Sequence, residues 1–596
     1  MTRLTRPSSG SESVRSRSGS THQPTRSPVL NRRAFLGLFP ALGLGASIGP
    51  RLPVQPRAAT RRITADMVAD GEKLDGLTFT DQQRELMLDG VNDNLERYEA
   101  LRTLKLPNHV PPAYSFDPMV PGVDAEVKPP SSGLRLSRPV VPPVPRDLEE
   151  LAFLPVTQWA ELVRRRLVSS LDLTTMYLGR LKKYGPILQC VITLCEDLAL
   201  AQARRADEEI AGGLYRGPLH GIPWGAKDLL ATKEYRTTWG AAPYKDQVID
   251  EDATVVKRLE EAGAVLAAKL SLGETARGET WFGGMTRNPW NPDEGASGSS
   301  AGPAAATVAG LVAFSIGSDT RGSIVLPCDR CGATGLRPTF GTVSRHGAMV
   351  LAWTMDKLGP ICRSVEDCVI VLDAIRGPDG RDQSVRSVPF SWDADADISQ
   401  LRVGFLKTAF EADHRGKVAD EATLGTLRRL GVEPLPIEMP EFPVQALRLI
   451  MDAETGAAFD ELVLTGQADL LTKQGRGDRP NNLRHSRLIP AVEYIQASRA
   501  RTILLRKMAD VMRTIDVFLS PSLSDAVLMV TNMTGHPCIV VPNGFTEKGT
   551  PTSICFVGGL FKDAETALLA HRYQEATDFH RRHPTVTVAA AVRGGL

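Results

Sequence analysis

The sequence predicts an α/β sheet protein with one large body behind an N-terminal extension. Three observations predict it. Past residue 151, helical spacings alternate with short apolar runs of strand length. No composition break and no internal repeat divides that body. With 42% apolar and 23% charged residues in 596, the chain has the make-up of an ordinary globular protein with a large core.

The chain divides into 1–59, 60–150 and 151–596. Met1 to Leu30 is rich in Ser, Thr, Pro and Arg, with Glu12 its only acid, a composition that cannot support a core. Arg32-Arg33 then precede the apolar run Leu38 to Ile48, which is too short and too Gly-rich to span a membrane. Paired arginines before such a run resemble a twin-arginine export signal, with cleavage expected near Arg57-Ala58-Ala59-Thr60. The expected location is therefore periplasmic or secreted; an uncleaved anchor is the plain alternative.

From Ile63 to Arg102 the spacing is helical, with Thr80-Asp81-Gln82-Gln83 as a capping box and Leu86, Val91, Leu95 and Tyr98 as one face. Pro107 to Pro145 is dense in proline and predicts an extended arm wrapped on the body. In the body, Trp159, Leu162, Val163 and Leu167 mark one amphipathic helix and Leu173 to Leu181 another. Helices are predicted over Leu198–Ala211, Ala253–Ala262 and Asp563–Phe579. Strands are predicted over Gly221–Lys227, Val265–Leu270, Leu401–Phe405, Val517–Leu519, Cys538–Val541 and Ser553–Val557.

A net charge of +1 provides no bulk field for nucleic acid or acidic lipid. Eight cysteines in this length are no disulfide scaffold. Cys328-Asp-Arg-Cys331 lacks a second pair at zinc-ligand spacing, so a packed thiol pair or a disulfide is expected there and no metal.

Chemistry concentrates between Ser297 and Pro327, where two turns rich in Gly and hydroxyls flank an Ala-rich segment. The first is Ser297-Gly298-Ser299-Ser300-Ala301-Gly302 and the second Gly317-Ser318-Asp319-Thr320-Arg321-Gly322-Ser323. Small residues let backbone N–H groups approach another group, and a serine beside them can be a nucleophile. Two surface loops are the plain alternative. Lys227 ends the apolar run Gly221-Ile222-Pro223-Trp224-Gly225-Ala226. Burial there would disfavour its ammonium and make it a base; pairing with Asp228 is the plain reading. His220, His346 and His536 invite a Ser-His-Asp triad, but no G-x-S-x-G elbow accompanies them, and structural roles are expected.

Taken together, Lys227 in its Gly-Ile-Pro setting, Gly298-Ser299-Ser300, and Asp319-Thr320-x-Gly322-Ser323-Ile324 resemble the amidase signature family, with the two serines 24 residues apart. Thr286-Arg287-Asn288-Pro289-Trp290-Asn291-Pro292 and Gly335-Leu336-Arg337-Pro338-Thr339-Phe340-Gly341 extend the match, which runs over residues 151–582.

The resemblance implies a central twisted mixed sheet flanked by helices, in a single amidase-signature domain. It implies an amidohydrolase acting on linear amides, with Ser323 as nucleophile, Ser299 as a bridging serine on a cis peptide bond, and Lys227 as the neutral base. Ser300 and Asp319 would support them. Backbone N–H groups of Thr320, Arg321, Gly322 and Ser323 would form the oxyanion hole. No cofactor is implied. Partners implied are a small amide substrate, no nucleic acid, no stable membrane span after processing and at most a second copy of the chain. Departures from the family's pattern are Arg321 and Ser297, where glycine is common, Ala301 likewise, and Val325 in place of an arginine. If Arg321 needed a positive φ it would be strained by about 1–2 kcal/mol. The competing expectations are a catalytically silent binding relative and a transamidating subunit.

Overall fold

The computed structural model describes residues 62–75, scattered positions between 80 and 92, 116–119, and 133–587 apart from 476 and 488. The twin-arginine leader, its expected cleavage point and the whole helical face at Leu86, Val91, Leu95 and Tyr98 lie outside these residues. The fold is that of the unit Ala65–Leu596.

Eleven strands form one mixed sheet. In chain order they are β1 (Val191–Leu194), β2 (Pro223–Lys227), β3 (Val265–Leu270), β4 (Phe314–Asp319), β5 (Thr334–Arg337), β6 (Lys357–Cys362), β7 (Val403–Leu406), β8 (Leu435–Ile437), β9 (Val517–Pro521), β10 (Cys538–Phe545) and β11 (Pro551–Gly558). Their spatial order is β8-β7-β9-β11-β10-β5-β6-β4-β2-β3-β1. β2 runs parallel to both β3 and β4, whereas β6 runs antiparallel to β4 and β5.

Alternation across each strand builds two apolar layers. Val517 and Leu519 of β9 face one layer with Ile539 and Val541 of β10. Phe518 and Val540, one residue out of step, face the other. The first layer is closed by helices Val156–Arg164 and Val365–Ile375. The second is closed by Ala301–Val308, buried on every side as its alanines allow.

Several expected elements differ in extent. The first amphipathic helix ends at Arg164, so Leu167 lies beyond it and is exposed. Helix Leu173–Leu181 is the middle of a longer one, Ser170–Leu188, capped by Ser169, whose side chain accepts from the Asp172 amide. Strands β5 and β6 carry glycine, and β6 a proline, within Thr-Gly-Leu-Arg and Lys-Leu-Gly-Pro-Ile-Cys; such residues argue against a strand unless neighbours on both sides impose one.

Part of the proline-rich segment contacts the body. Leu134–Arg135 pairs with Trp392–Asp393, and Ser137 donates its N–H and hydroxyl to buried Glu366 at 2.7 and 2.5 Å. All eight cysteines are buried and free, so Cys328 and Cys331 are separate thiols rather than a disulfide.

Candidate active site

Parallel neighbours β2 and β4 end at Lys227 and Asp319, which places both residues at the same carboxyl edge of the sheet, where open α/β sheets hold ligands. Lys227 is completely buried. Its chain neighbour Asp228 does not pair with it. That carboxylate is 2.9 Å from Lys269 of β3 and accepts from the Thr238 amide and hydroxyl at 2.8 and 2.5 Å.

Lys227 is instead surrounded by hydroxyls. Its Nζ lies 2.8 Å from Ser299 Oγ, 2.9 Å from Ser300 Oγ and 2.9 Å from Ser318 Oγ. Burial pushes its pKa down to about 7, with Asp319 and Asp356 at a distance opposing the shift. A buried amine among neutral oxygens holds a proton weakly, as a base working near neutral pH must.

The first glycine-rich turn delivers two of these hydroxyls. The Gly298–Ser299 peptide is cis. A Cβ on Gly298 would lie 1.9 Å from the Gly278 carbonyl oxygen, so only glycine fits. Ser297 has φ 60°, the left-handed region where a serine is strained by about 1–2 kcal/mol. Its replacement of a common glycine is thus a costlier change than the sequence indicated. Ser300 is saturated: its hydroxyl accepts the Ser318 amide at 3.2 Å and donates to the Ser318 carbonyl at 3.1 Å. Ser299 is 1% exposed and carries its bond to Lys227 alone.

The second turn is shaped by Asp319. Its carboxylate accepts the amides of Gly322 at 2.6 Å, Ile324 at 2.8 Å and Val325 at 3.4 Å. Ser323 follows, half-buried, and its carbonyl accepts the Ser300 amide at 3.2 Å, tying the two turns together. Among the described residues the Ser323 and Ser299 hydroxyls are not bonded to each other; such contacts often tighten only with substrate.

One expectation for this turn needs correction. The Gly322 amide is spent on Asp319, so it is not a free oxyanion donor. Among the described residues the amides of Thr320, Arg321 and Ser323 make no hydrogen bond. The positive φ of the turn, 107°, falls on Gly322 and not on Arg321, so the arginine carries no left-handed strain. Its guanidinium turns to Asp525 at 3.1 Å, with the arginine side chain 31% exposed.

Residues 349–353 and the β4 end share a cavity: Ser318, Thr320, Met349, Leu351 and Trp353 all line it. Trp281 and Phe282 do not; the Trp281 indole instead donates to the Gln189 carbonyl. The Thr320 hydroxyl donates to Asp356, which also accepts the Leu351 and Ala352 amides, so the segment at Leu351 is tied to the turn.

The three histidines are engaged elsewhere: His220 with the Arg216 amide, His346 with Arg381, and His536 with Thr534. Burial pushes His536 down to about 3. Among the described residues no group of three or more His, Cys, Asp or Glu side chains could hold a metal. Two participants escaped the sequence reading. Ser318, the third partner of Lys227, was one hydroxyl among several in a polar turn. Lys269 was legible only as a lone charge inside the apolar run Val-Leu-Ala-Ala-Lys-Leu.

A family model described as Amidase matches residues 172–531. A glutamyl-tRNA(Gln) amidotransferase subunit from Methylococcus capsulatus is 35% identical over 475 residues, 71% of this chain and 96% of that protein. A putative amidase, AmiD, of Mycobacterium tuberculosis is 34% identical over 482 residues, 74% of this chain and 98% of that protein. The native peptide amidase structure from Stenotrophomonas maltophilia superposes with a TM-score of 0.64 at 29% identity, covering 73% of this chain and 99% of that one.

Proposed function

Because this chain belongs to the Amidase family, we propose that it hydrolyses the carbon–nitrogen bond of a linear amide through an acyl-enzyme on Ser323. The observation that carries this reading is Lys227 without a paired carboxylate, ringed by hydroxyls and one turn from a half-buried serine.

In the scheme, neutral Lys227 takes the Ser299 proton, Ser299 takes the Ser323 proton, and Ser323 Oγ bonds to the amide carbonyl carbon. The oxyanion meets the amides of the second turn, with those of Arg321 and Ser323 unspent; one such donor is typically worth about 3–4 kcal/mol. Collapse breaks the C–N bond, and the amine nitrogen leaves with the proton that Ser299 returns, itself resupplied by Lys227. Water then enters, gives its proton along the same relay and releases the acid. Ser300 holds Lys227 and the second turn, and Asp319 holds the turn's shape. The steps move protons and an acyl group, so no cofactor enters the scheme.

Arg321 supports activity rather than silence, since its φ leaves the turn unstrained. The Arg32-Arg33 leader supports export to the periplasm or beyond. The match to an amidotransferase subunit favours a second reading, in which ammonia passes to a partner. Labelling wild-type protein with a serine-reactive fluorophosphonate tests the first reading: Ser323 takes the label and Ser323→Ala does not. Steady amide hydrolysis by the isolated chain, and loss of export on replacing Arg32 and Arg33 with Lys, separate it from the second.

A further inference from the structure

The cavity beside the nucleophile turn is lined by two unlike sets of residues. It is lined by buried Ser318, the last residue but one of β4, and buried Thr320, which follows that strand. Leu229, Ala276, Met349, Leu351 and Leu358 give it apolar walls. Its lining also includes the polar residues Arg345, Arg381 and Asp382.

Most polar groups there are already satisfied. Arg345 holds Asp382 through Nε at 2.8 Å and through its terminal nitrogen at 3.0 Å, and also reaches Ser384 and the Trp353 carbonyl. Asp356 is filled by Thr320 and two amides. Arg381 is different. Its side chain donates to His346 Nε2 at 2.7 Å, lies 3.8 Å from Glu251, and is half exposed. Its remaining side-chain N–H groups have no protein partner among the described residues, so this lining residue keeps donors for a ligand.

Of the two parts of an amide, the acyl group stays on the enzyme through both half-reactions, whereas the amine must leave a path by which water enters. A cavity with apolar walls suits the part that stays. Resting on the acyl-enzyme reading of Ser323, we propose that this cavity is the acyl site. It takes an acyl chain that is apolar beside the scissile carbonyl and ends in a hydrogen-bond-accepting oxygen, a carbonyl or a carboxylate, met by Arg381.

The test uses the full chain and primary amides of one acyl length ending in methyl, carboxamide or carboxylate. The oxygen-ended substrates should exceed the methyl-ended one in kcat/KM by about tenfold, as for a hydrogen bond to a charged donor. Arg381→Leu should bring that ratio close to one. The ratio is internal to each protein, so a partly folded variant still reports it. A better carboxylate than carboxamide assigns the effect to charge, and the reverse order to hydrogen bonding; both support the site. A methyl-ended substrate that is equal or better, a ratio unmoved in Arg381→Leu, or no turnover of the series overturns it. Failure of the acyl-enzyme reading is distinct, since wild-type Ser323 would then resist the fluorophosphonate.

Discussion

Lys269 holds the Asp228 carboxylate at 2.9 Å, both side chains fully buried, and thereby leaves Lys227 without a counterion one residue away. Paired with Asp228, Lys227 would keep its proton and could not serve as a base. Replacing Lys269 with Met strands a buried carboxylate, a loss of about 3–5 kcal/mol in stability. Urea unfolding should show that loss. In the protein that remains folded, activity should begin at a higher pH, because Asp228 favours the charged form of Lys227.

Activity should also report Lys227 directly. With its pKa pushed down to about 7, the amine is protonated and idle below that pH and free above it. The rate of Ser323 labelling should therefore rise through an inflection near pH 7, and Lys227→Met should remove the inflection and most of the rate. Stability runs with the same sign. The unfolded amine protonates as pH falls below 10.5 while the folded one resists until about 7, so linked stability declines across that window on acidification.

Ser323→Ala and Ser299→Ala should differ in kind. The first removes the atom that bonds to substrate, abolishing labelling and lowering amide turnover by about 10⁴-fold or more. The second keeps the nucleophile but interrupts the relay, so slow labelling should persist and lose its pH inflection. Unchanged circular dichroism would show that neither substitution acts through the fold.

Arg321 and Gly322 make opposite predictions. Arg321→Gly keeps the backbone amide and breaks an exposed ion pair with Asp525, so stability should move by less than about 1 kcal/mol and labelling should persist. Gly322→Ala forces a side chain onto φ 107° with Leu528 at 3.1 Å from the new carbon. It should cost about 1–2 kcal/mol and slow labelling sharply, since the Ser323 amide moves with the turn.

Ser297→Gly should stabilise the protein by up to about 1 kcal/mol, because the φ of 60° that strains serine is open to glycine. Thermal unfolding at pH 8 would measure it; a lower midpoint would contradict the strain.

By itself the sequence determined much here. Periodicity located the strands ending at Lys227 and Leu270, since buried parallel strands read as continuous apolar runs. Local chemistry located both turns, since glycine and hydroxyl residues mark close backbone approaches wherever they fall. Tertiary structure decided what the residues touch. Asp228 went to Lys269 because β2 and β3 lie side by side, and that pairing joins residues 41 positions apart. Ser318 reached Lys227, and the Gly322 amide reached Asp319, through the course of the chain at the sheet's edge. Thr334–Arg337 and Lys357–Cys362 carry glycine, and the second a proline, which disfavour strands, and neighbours on both sides imposed them. Spacing along the chain names the groups that can react; which of them stays unpaired depends on contacts between strands and turns distant in sequence.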